Sequence, residues 1–110
     1  MNFTDISPTI GFFQDNQDAH RAYFGDIDND GDLDAFVSDR DGNMKTQRNY
    51  LHRNDNGSFV DVADAKGIKM NSFAWGTSFL DADQDEFIDL FVNSSMDGMA
   101  TFLSSAFYHQ

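Results

Sequence analysis

The chain lacks cysteine entirely, and its 110 residues include one proline, one glutamate and only seven lysine and arginine residues. Without cysteine, disulfides, thiolate chemistry and cysteine-based zinc sites are excluded. The scarcity of glutamate is informative because eighteen of the nineteen acidic residues are aspartate. Aspartate competes for backbone hydrogen bonds and prefers caps, turns and metal loops to helix interiors. We therefore expect few helices.

The scarcity of basic residues leaves a formal net charge of -12. Phosphate backbones and anionic membrane surfaces repel such a chain, so nucleic acid is a poor candidate partner. No apolar run approaches the roughly twenty residues that span a bilayer, and no membrane insertion is expected. Met1 to Ile10 has neither the basic nor the apolar region of a signal peptide, so an export signal is expected outside this chain.

An internal repeat organises what is present. Gly25 to Ser38 aligns without a gap to Leu80 to Asn93 at an offset of 55 residues. Phe3 to Ile6 matches Phe59 to Val62 at an offset of 56. Two segments that share nearly one period indicate a repeat architecture.

Each repeat contains short apolar runs of strand length, rich in Phe, Ile, Leu and Val. A strong turn signal, Asn54-Asp55-Asn56-Gly57, separates two of them and predicts a hairpin. Four antiparallel strands per unit are typical of a β-propeller blade. The predicted strands are His20–Phe24, Leu33–Val37, Asn49–Arg53, Ser58–Val62, Ala74–Phe79 and Ile88–Val92.

The ends of the chain extend the repeat. Ala106 to Gln110 resembles Asn49 to Arg53 at an offset of 57, which predicts a third strand of the second unit. Phe3 to Ile6 is interpreted as the fourth strand of a preceding unit. We therefore expect an all-β chain of about two incomplete, antiparallel four-stranded blades from a longer array. Its expected divisions are the end of a preceding repeat (1–11), a first repeat (12–67) and a truncated second repeat (68–110).

Both repeats contain an acidic loop of nine residues. In the first loop, carboxylates occupy positions 1, 3, 5 and 9 and Gly31 occupies position 6. Alternate short carboxylates on a tight loop converge and repel without a cation, and Ca²⁺ accepts six to eight oxygens at flexible geometry. The predicted ligands are Asp26, Asp28, Asp30, the backbone carbonyl of Asp32 and Asp34. In the second loop they are Asp81, Asp83, Asp85, the carbonyl of Phe87 and Asp89.

Neither loop is an EF-hand. That motif needs a bidentate Glu at position 12, which is Val37 in the first loop, and helices on both sides. The second loop has Glu86 at position 6, where the first has Gly31. A residue other than glycine at positive φ costs on the order of 1 kcal/mol or more, which predicts a distorted or weaker second loop.

The pattern resembles the calcium loop of FG-GAP repeats, including VCBS-like bacterial versions, with Phe24-Gly25 preceding Asp26. Asn49 to Asn54, followed by Gly57, resembles the ASPIC and UnbV-type members. The resemblance implies a β-propeller of the kind found in integrin α-subunits, with Ca²⁺ loops between the first two strands of a blade. It further implies a secreted, cell-surface or periplasmic module for adhesion or ligand binding that is not itself catalytic.

Two alternatives remain beside that reading. In the first alternative, the segment is an accessory propeller of a secreted polysaccharide- or lipid-active enzyme, although no catalytic nucleophile with a partner residue is recognisable. In the second alternative, copies of the chain associate with one another. The strand predicted at Phe3 to Ile6 is a fourth strand, which the second unit lacks, so one copy could complete the blade of another. Partners are expected to be further blades, or a protein or carbohydrate bound through the propeller loops.

Aromatic and histidine positions follow the repeat. His52 and His109 occupy matching strand positions, so the repeat explains them without a catalytic or metal role. Trp75 is expected to be buried. Six phenylalanines recur at matching points and are expected to form the core between blades: Phe24, Phe36, Phe59, Phe79, Phe91 and Phe107.

Overall fold

The fold is almost entirely β. A computed structural model describes residues 1–12, 19–39, 49–68, 74–94 and 106–109. The first sheet has the strand order β1-β2-β3-β4 and the second has the order β5-β6-β7, and all paired neighbours are antiparallel. Within the described residues the elements are α1 (Ser7–Ile10), β1 (Ala19–Gly25), β2 (Asp34–Asp39), β3 (Tyr50–Asp55), β4 (Ser58–Asp61), β5 (Ala74–Leu80), β6 (Asp89–Ser94) and β7 (Ala106–Tyr108).

These two meandering sheets confirm the predicted all-β class and correspond to incomplete propeller blades. The predicted hairpin is also formed, with Asp55 paired to Ser58 across a two-residue turn. Its central residues, Asn56 and Gly57, have φ of 53° and 91°. Two consecutive positive φ angles define the type I′ turn that matches the twist of antiparallel strands. Among the described residues, no helix is long and apolar enough to cross a membrane.

The repeat holds in three dimensions, with one correction to the third strand. Ala35 of β2 pairs with His52, whereas its equivalent in β6, Leu90, pairs with Tyr108. The third strands are therefore related by 56 residues, and His109 corresponds to Arg53. Matching His52 to His109 was wrong by one residue, and a slip of one residue in a strand moves every side chain to the opposite face.

The two sheets pack face to face. Phe36 and Leu51 of the first sheet share a buried cluster with Leu90 and Val92 of the second. A close approach marks the boundary: a Cβ added at Gly25 would lie 2.9 Å from the ring of Phe79. Only a residue without a side chain leaves room for that ring, so the glycine before the first acidic loop is a packing position between sheets.

The predicted phenylalanine core is correct for Phe36 and wrong for several other members. Phe36 is fully buried, while its repeat equivalent Phe91 is 38% exposed. Phe91 pairs with Phe107, which is also exposed, on the face of the second sheet that points away from the first. Phe24 is exposed as well. A phenylalanine is buried only where another sheet packs against its face of the blade. Equivalent positions of the two repeats differ in this respect.

The prediction for Trp75 is also wrong, since the side chain is 44% exposed. Trp75 lies where the register of β5 against β6 shifts between Ala74 and Gly76. Such an irregularity redirects the side chain of the extra residue away from the alternation of the strand.

The strand predicted at Phe3–Ile6 is absent. Residues 1–6 form neither strand nor helix, and Phe3 is exposed. Local bonds favour a turn: the backbone N–H of Ser7 donates to Asp5 Oδ1, 3.0 Å away, and Pro8 lies in the first turn of α1. Proline fixes the φ that begins a helix and removes a donor that strand pairing needs.

The end of this N-terminal segment lies against the first sheet. The ring of Phe12 contacts the rings of His52 and Phe59, with centroids 4.6 and 5.0 Å away. Gly11 has a φ of 80°, and a Cβ there would lie against the carbonyl of Phe59. His52 belongs to the opposite face of β3 from Leu51, so the segment covers the side of the first sheet that the second sheet does not.

Candidate metal sites

Both acidic loops lie at corresponding places, between β1 and β2 and between β5 and β6. In each, the carboxylate at position 1 accepts hydrogen bonds from the backbone N–H groups of positions 5 and 6. In the first loop, Asp26 accepts from Asp30 at 3.1 Å and from Gly31 at 3.0 Å. In the second, Asp81 accepts from Asp85 and Glu86, both at 3.0 Å. The loops therefore curl in the same way.

The carboxylate at position 9 closes each loop from inside the sheet. Asp34 and Asp89 are both fully buried. Asp34 Oδ2 accepts from the backbone N–H of Ile27 at 2.8 Å, and Asp89 Oδ2 accepts from that of Ala82 at 3.0 Å. Each buried carboxylate thus ties the end of its loop to the start.

Electrostatics favour a cation beside Asp34. Burial raises the pKa of Asp34 above its ordinary value, and the nearby charges of Asp28 and Asp30 act in the same direction. Two backbone donors oppose the shift, namely the N–H groups of Asn54 and Ile27. A partly desolvated carboxylate among like charges gains most when a positive ion neutralises the group.

Glu86 does not distort the backbone of the second loop, so the expected distortion was wrong, while weaker metal binding there stays a prediction. Glu86 has a φ of 74° and Gly31 has a φ of 95°, and the position two residues earlier is also left-handed in both loops, at Asn29 (58°) and Gln84 (63°). The repeated hydrogen bonds hold the left-handed backbone whatever side chain it carries. Any cost of the missing glycine is conformational strain and not a change of shape.

Three predicted ligands of the first loop meet at one point. Asp26, Asp28 and Asp34 each offer an oxygen, and these oxygens lie within 4.8 Å of one another. Asp30 is not a member of this group, and its Oδ1 accepts the N–H of Asp32 at 2.8 Å. Converging carboxylate oxygens on a tight loop are the hard donors that Ca²⁺ takes, so this donor set fits a calcium ion.

The side chain of Asp32 has a role besides the predicted ligation by its backbone carbonyl. Its Oδ2 accepts the backbone N–H of Asn56 at 3.0 Å, which joins the loop to the β3–β4 turn. Asn54 makes a similar link, because its N–H donates to Asp34 Oδ1 at 2.7 Å and its side chain donates to the carbonyl of Leu33 at 3.2 Å. This role of Asn54 was not predicted from the sequence, although an Asn three residues before Gly57 was visible as a turn signal.

The second loop brings together a different set. Asp83 and Asp85 each place an oxygen within 4.8 Å of a ring nitrogen of His109, whereas Asp81 and Asp89 are outside this group. His109 Nε2 lies 2.8 Å from Asp83 Oδ2 and 3.9 Å from Asp85 Oδ2. The hydrogen bond to Asp83 raises the pKa of His109, and the same bond lowers the pKa of Asp83.

No role was predicted for His109 because the repeat alignment made it equivalent to His52, inside a strand. The corrected register puts it one residue beyond β7, at the mouth of the loop. Arg53 occupies the equivalent place in the first repeat, and its guanidinium donates through Nε and Nη2 to Asp55 at 2.7 and 2.8 Å. The pairing lowers the pKa of Asp55.

A small apolar cavity of about 110 Å³ lies near the second loop, between the sheets. Leu51, Phe79, Leu90, Tyr108 and His109 are among the side chains that line this space. Pockets for small organic ligands usually enclose about 300 to 1,000 Å³. The acidic loops are therefore the stronger candidate sites.

Comparison with known families gives one match. The chain matches the family described as FG-GAP-like repeat over residues 26–92, which is more than half of its length and includes both loops. No curated protein and no solved structure matches the chain.

Proposed function

The chain belongs to the family of FG-GAP-like repeats, and we propose that it is a Ca²⁺-binding module of the β-propeller type. One observation carries the proposal: Asp26, Asp28 and Asp34 each offer a carboxylate oxygen, and these three oxygens lie within 4.8 Å of one another. Asp30 and the backbone carbonyl of Asp32 are proposed to complete the coordination, since Ca²⁺ takes six to eight oxygens.

The charge balance of the first loop supports a bound cation. The nearby Arg53 interacts electrostatically with Asp28 and Asp34, but its guanidinium hydrogen-bonds to Asp55 instead. Carboxylates that lie this close together repel one another and weaken the loop. A divalent ion at their common point converts that repulsion into attraction.

The proposed role of the ion is structural. It pins the turn between β1 and β2, where the buried Asp34 already links the loop to Ile27 and Asn54. The second loop repeats the same backbone framework and is proposed to hold a second divalent cation. Its ligands would come from Asp81, Asp83, Asp85, the carbonyl of Phe87 and Asp89.

The wider role is proposed on the resemblance between repeats. We propose a non-catalytic module that works outside the cytosol, in adhesion or in binding a protein or carbohydrate ligand. The location follows from metal supply, because extracellular modules with dissociation constants of roughly 10⁻⁴ to 10⁻³ M rely on abundant calcium. A submicromolar dissociation constant would remove this argument for export.

Calcium titration of the metal-free chain tests the proposal. Isothermal calorimetry is expected to show Ca²⁺ binding, and thermal unfolding is expected to shift upward with added Ca²⁺. At a free concentration about 100 times the dissociation constant, one bound ion adds about 2.7 kcal/mol to the free energy of unfolding.

Asp28→Asn is the most informative variant. Asp28 lies in the oxygen group, and its exposed side chain is outside the hydrogen bonds that shape the loop. The variant is expected to keep the fold and to weaken Ca²⁺ binding. Asp64→Asn is the matched control, because it removes one charge from an exposed turn outside both loops. Equal Ca²⁺ affinity in the two variants, or indifference of the original chain to Ca²⁺, would contradict the proposal.

A further inference from the structure

We propose that the open edge of β7 binds residues 3–6 of a second copy of this chain, which add a fourth strand to the second sheet. Among the described residues, β7 pairs with β6 alone, and no strand pairs with residues 3–6. Residues 1–6 are exposed throughout, and Phe3 is 92% exposed. A free sheet edge binds an extended segment through main-chain hydrogen bonds, so the edge and the segment are chemically matched.

The turn that follows residues 3–6 has the same hydrogen bonds as the turn that follows β4. Three bonds from a backbone N–H recur at an offset of 56 residues. Their donor and acceptor residues are Ser7–Asp5 (3.0 Å) and Ala63–Asp61 (3.1 Å), Ile10–Ile6 (3.3 Å) and Lys66–Val62 (2.9 Å), and Phe12–Ser7 (3.2 Å) and Ile68–Ala63 (2.8 Å). Gly11 and Gly67 end the two turns with φ of 80° and 69°. Residues 3–6 therefore enter their turn as β4 does, and only a neighbouring strand is missing.

The open edge of β7 corresponds to the edge of β3 that binds β4. Strand pairing makes Phe107 the equivalent of Leu51. In the first sheet the carbonyl of Leu51 accepts the N–H of Val62 at 2.8 Å, and the N–H of Leu51 donates to Asp61 Oδ1 at 3.4 Å. The carbonyl and the N–H of Phe107 are therefore expected to point toward the open edge, where they can make the same two bonds.

The pairing of β3 with β4 predicts the register between the two copies. His52 of β3 pairs with Asp61 of β4. The equivalent pair between copies is Tyr108 with Asp5. In this register the carboxylate of Asp5 accepts the N–H of Phe107, as Asp61 accepts that of its own partner strand.

The segment that binds β7 comes from another copy because of where it lies. The ring of Phe12 contacts the rings of His52 and Phe59, on the face of the first sheet that points away from the second sheet. The first sheet thus separates this segment from β7 of its own copy. A contact between unlike surfaces, here a segment and an edge, joins copies head to tail into a closed ring or an open chain.

Net charge sets the conditions for association. The formal net charge of -12 makes copies repel one another. Added salt screens this repulsion over distances of about 10 Å or less at 0.1 M, while backbone hydrogen bonds do not depend on net charge. Association is therefore expected to strengthen as the salt concentration rises.

Sedimentation velocity of the full chain tests the proposal over a range of protein and salt concentrations. The average mass is expected to rise above that of one copy with increasing protein concentration. A synthetic peptide with the sequence of residues 1–12 is expected to lower this mass by occupying the edge of β7. Hydrogen exchange at Thr4 and Ile6 is expected to slow in the associated form, because their N–H groups enter the sheet.

Thr4→Pro is the most informative variant. Thr4 is equivalent to Val60, whose N–H points toward β3 like that of Val62, two residues further along the strand. Proline removes this donor and places its ring against β7, so association is expected to weaken at least about tenfold. Thr4→Ala is the matched control, because it keeps the N–H and shortens an exposed side chain. Its association is expected to stay within about twofold of the original.

An unchanged circular dichroism spectrum establishes that Thr4→Pro is folded. The inference is overturned if the chain has the mass of one copy at every concentration, or if Thr4→Pro associates as strongly as Thr4→Ala. Phe91→Ser examines the exposed face of the second sheet beside the edge. Association that survives Thr4→Pro and is lost in Phe91→Ser would show that this face joins the copies, and would refute strand addition. Ca²⁺ binding by the first loop is measured separately, so the proposed function does not depend on these results.

Discussion

Asn29 donates its side-chain amide to the backbone carbonyl of Glu86, with an Nδ2 to O distance of 2.8 Å, and so joins the two acidic loops directly. The residues are 57 positions apart in the sequence, and their loops connect strands of different sheets. Both have positive φ, 58° and 74°. The left-handed residues that curl each loop therefore also form the contact between loops, so one loop supports the shape of the other.

Removing this contact should reduce stability. Asn29→Gly tolerates the positive φ and deletes the amide, and it is expected to lower the free energy of unfolding by about 0.5 to 1.5 kcal/mol, the usual net value of a hydrogen bond. Urea denaturation at saturating Ca²⁺ measures the change. Gln84→Gly, at the equivalent position of the second loop with φ of 63°, is the control and is expected to be neutral or stabilising. An equal loss in both variants would refute a specific role for Asn29.

Position 6 of the loops should respond oppositely in the two repeats. Glu86→Gly relieves a left-handed conformation and is expected to raise the free energy of unfolding by about 1 kcal/mol, while Gly31→Ala is expected to lower it by about 1 kcal/mol. No atom lies within 4 Å of a Cβ added at Gly31, so the cost there is conformational. Glu86→Gln keeps the backbone requirement and removes the charge. If Glu86→Gln stabilises as much as Glu86→Gly, charge and not φ is the cause.

The packing of the sheets can be tested at Gly25. Gly25→Ala places a Cβ 2.9 Å from the ring of Phe79 and is expected to destabilise by about 1 to 3 kcal/mol through overpacking. Gly76→Ala is the control, since nothing lies within 4 Å of its Cβ. Thermal unfolding compares the two variants. Adding Phe79→Leu to Gly25→Ala is expected to recover part of the loss, and equal effects of the two alanines would argue against tight packing at this point.

The His109 to Asp83 pair predicts a pH dependence of the metal-free chain. Because Asp83 holds the pKa of His109 above its usual value, the pair stabilises the fold fully below the ordinary histidine pKa of 6.5. That contribution is lost as the pH rises through the raised pKa in the folded chain. NMR titration of the His109 ring in EDTA measures it, and Asp83→Asn is expected to bring the His109 pKa down toward 6.5. An unchanged titration in Asp83→Asn would rule out this pairing.

Much of the fold was predictable from local signals. The two acidic loops, the strands around them and the type I′ turn at Asn56 and Gly57 follow from residue spacing and turn chemistry. The positive φ at Gly31 and Glu86 follows from the repeat. Such features depend on a few neighbouring residues, so the sequence reports them without knowledge of distant contacts.

The register of the third strand and the burial of the sheet faces were not predictable from local signals. The similarity of Tyr-Leu-His to Phe-Tyr-His aligned His52 with His109, although strand pairing places Tyr108 opposite Leu90. Likewise Phe36 and Phe91 are equivalent in sequence, yet only Phe36 is covered by another sheet. Pairing and packing between distant segments decide both points, and sequence similarity between repeats contains no measure of either.

Two acidic loops on strand-rich repeats follow from the sequence alone, because short carboxylates at alternate positions and left-handed turn residues are local requirements. Three contacts could be seen only in the folded chain: Asn29 hydrogen-bonds to Glu86, Gly25 packs against the ring of Phe79, and His109 lies beside Asp83. These contacts arise when two sheets pack and a third strand ends beside a loop. They depend on distances across the fold, which no spacing along the chain expresses.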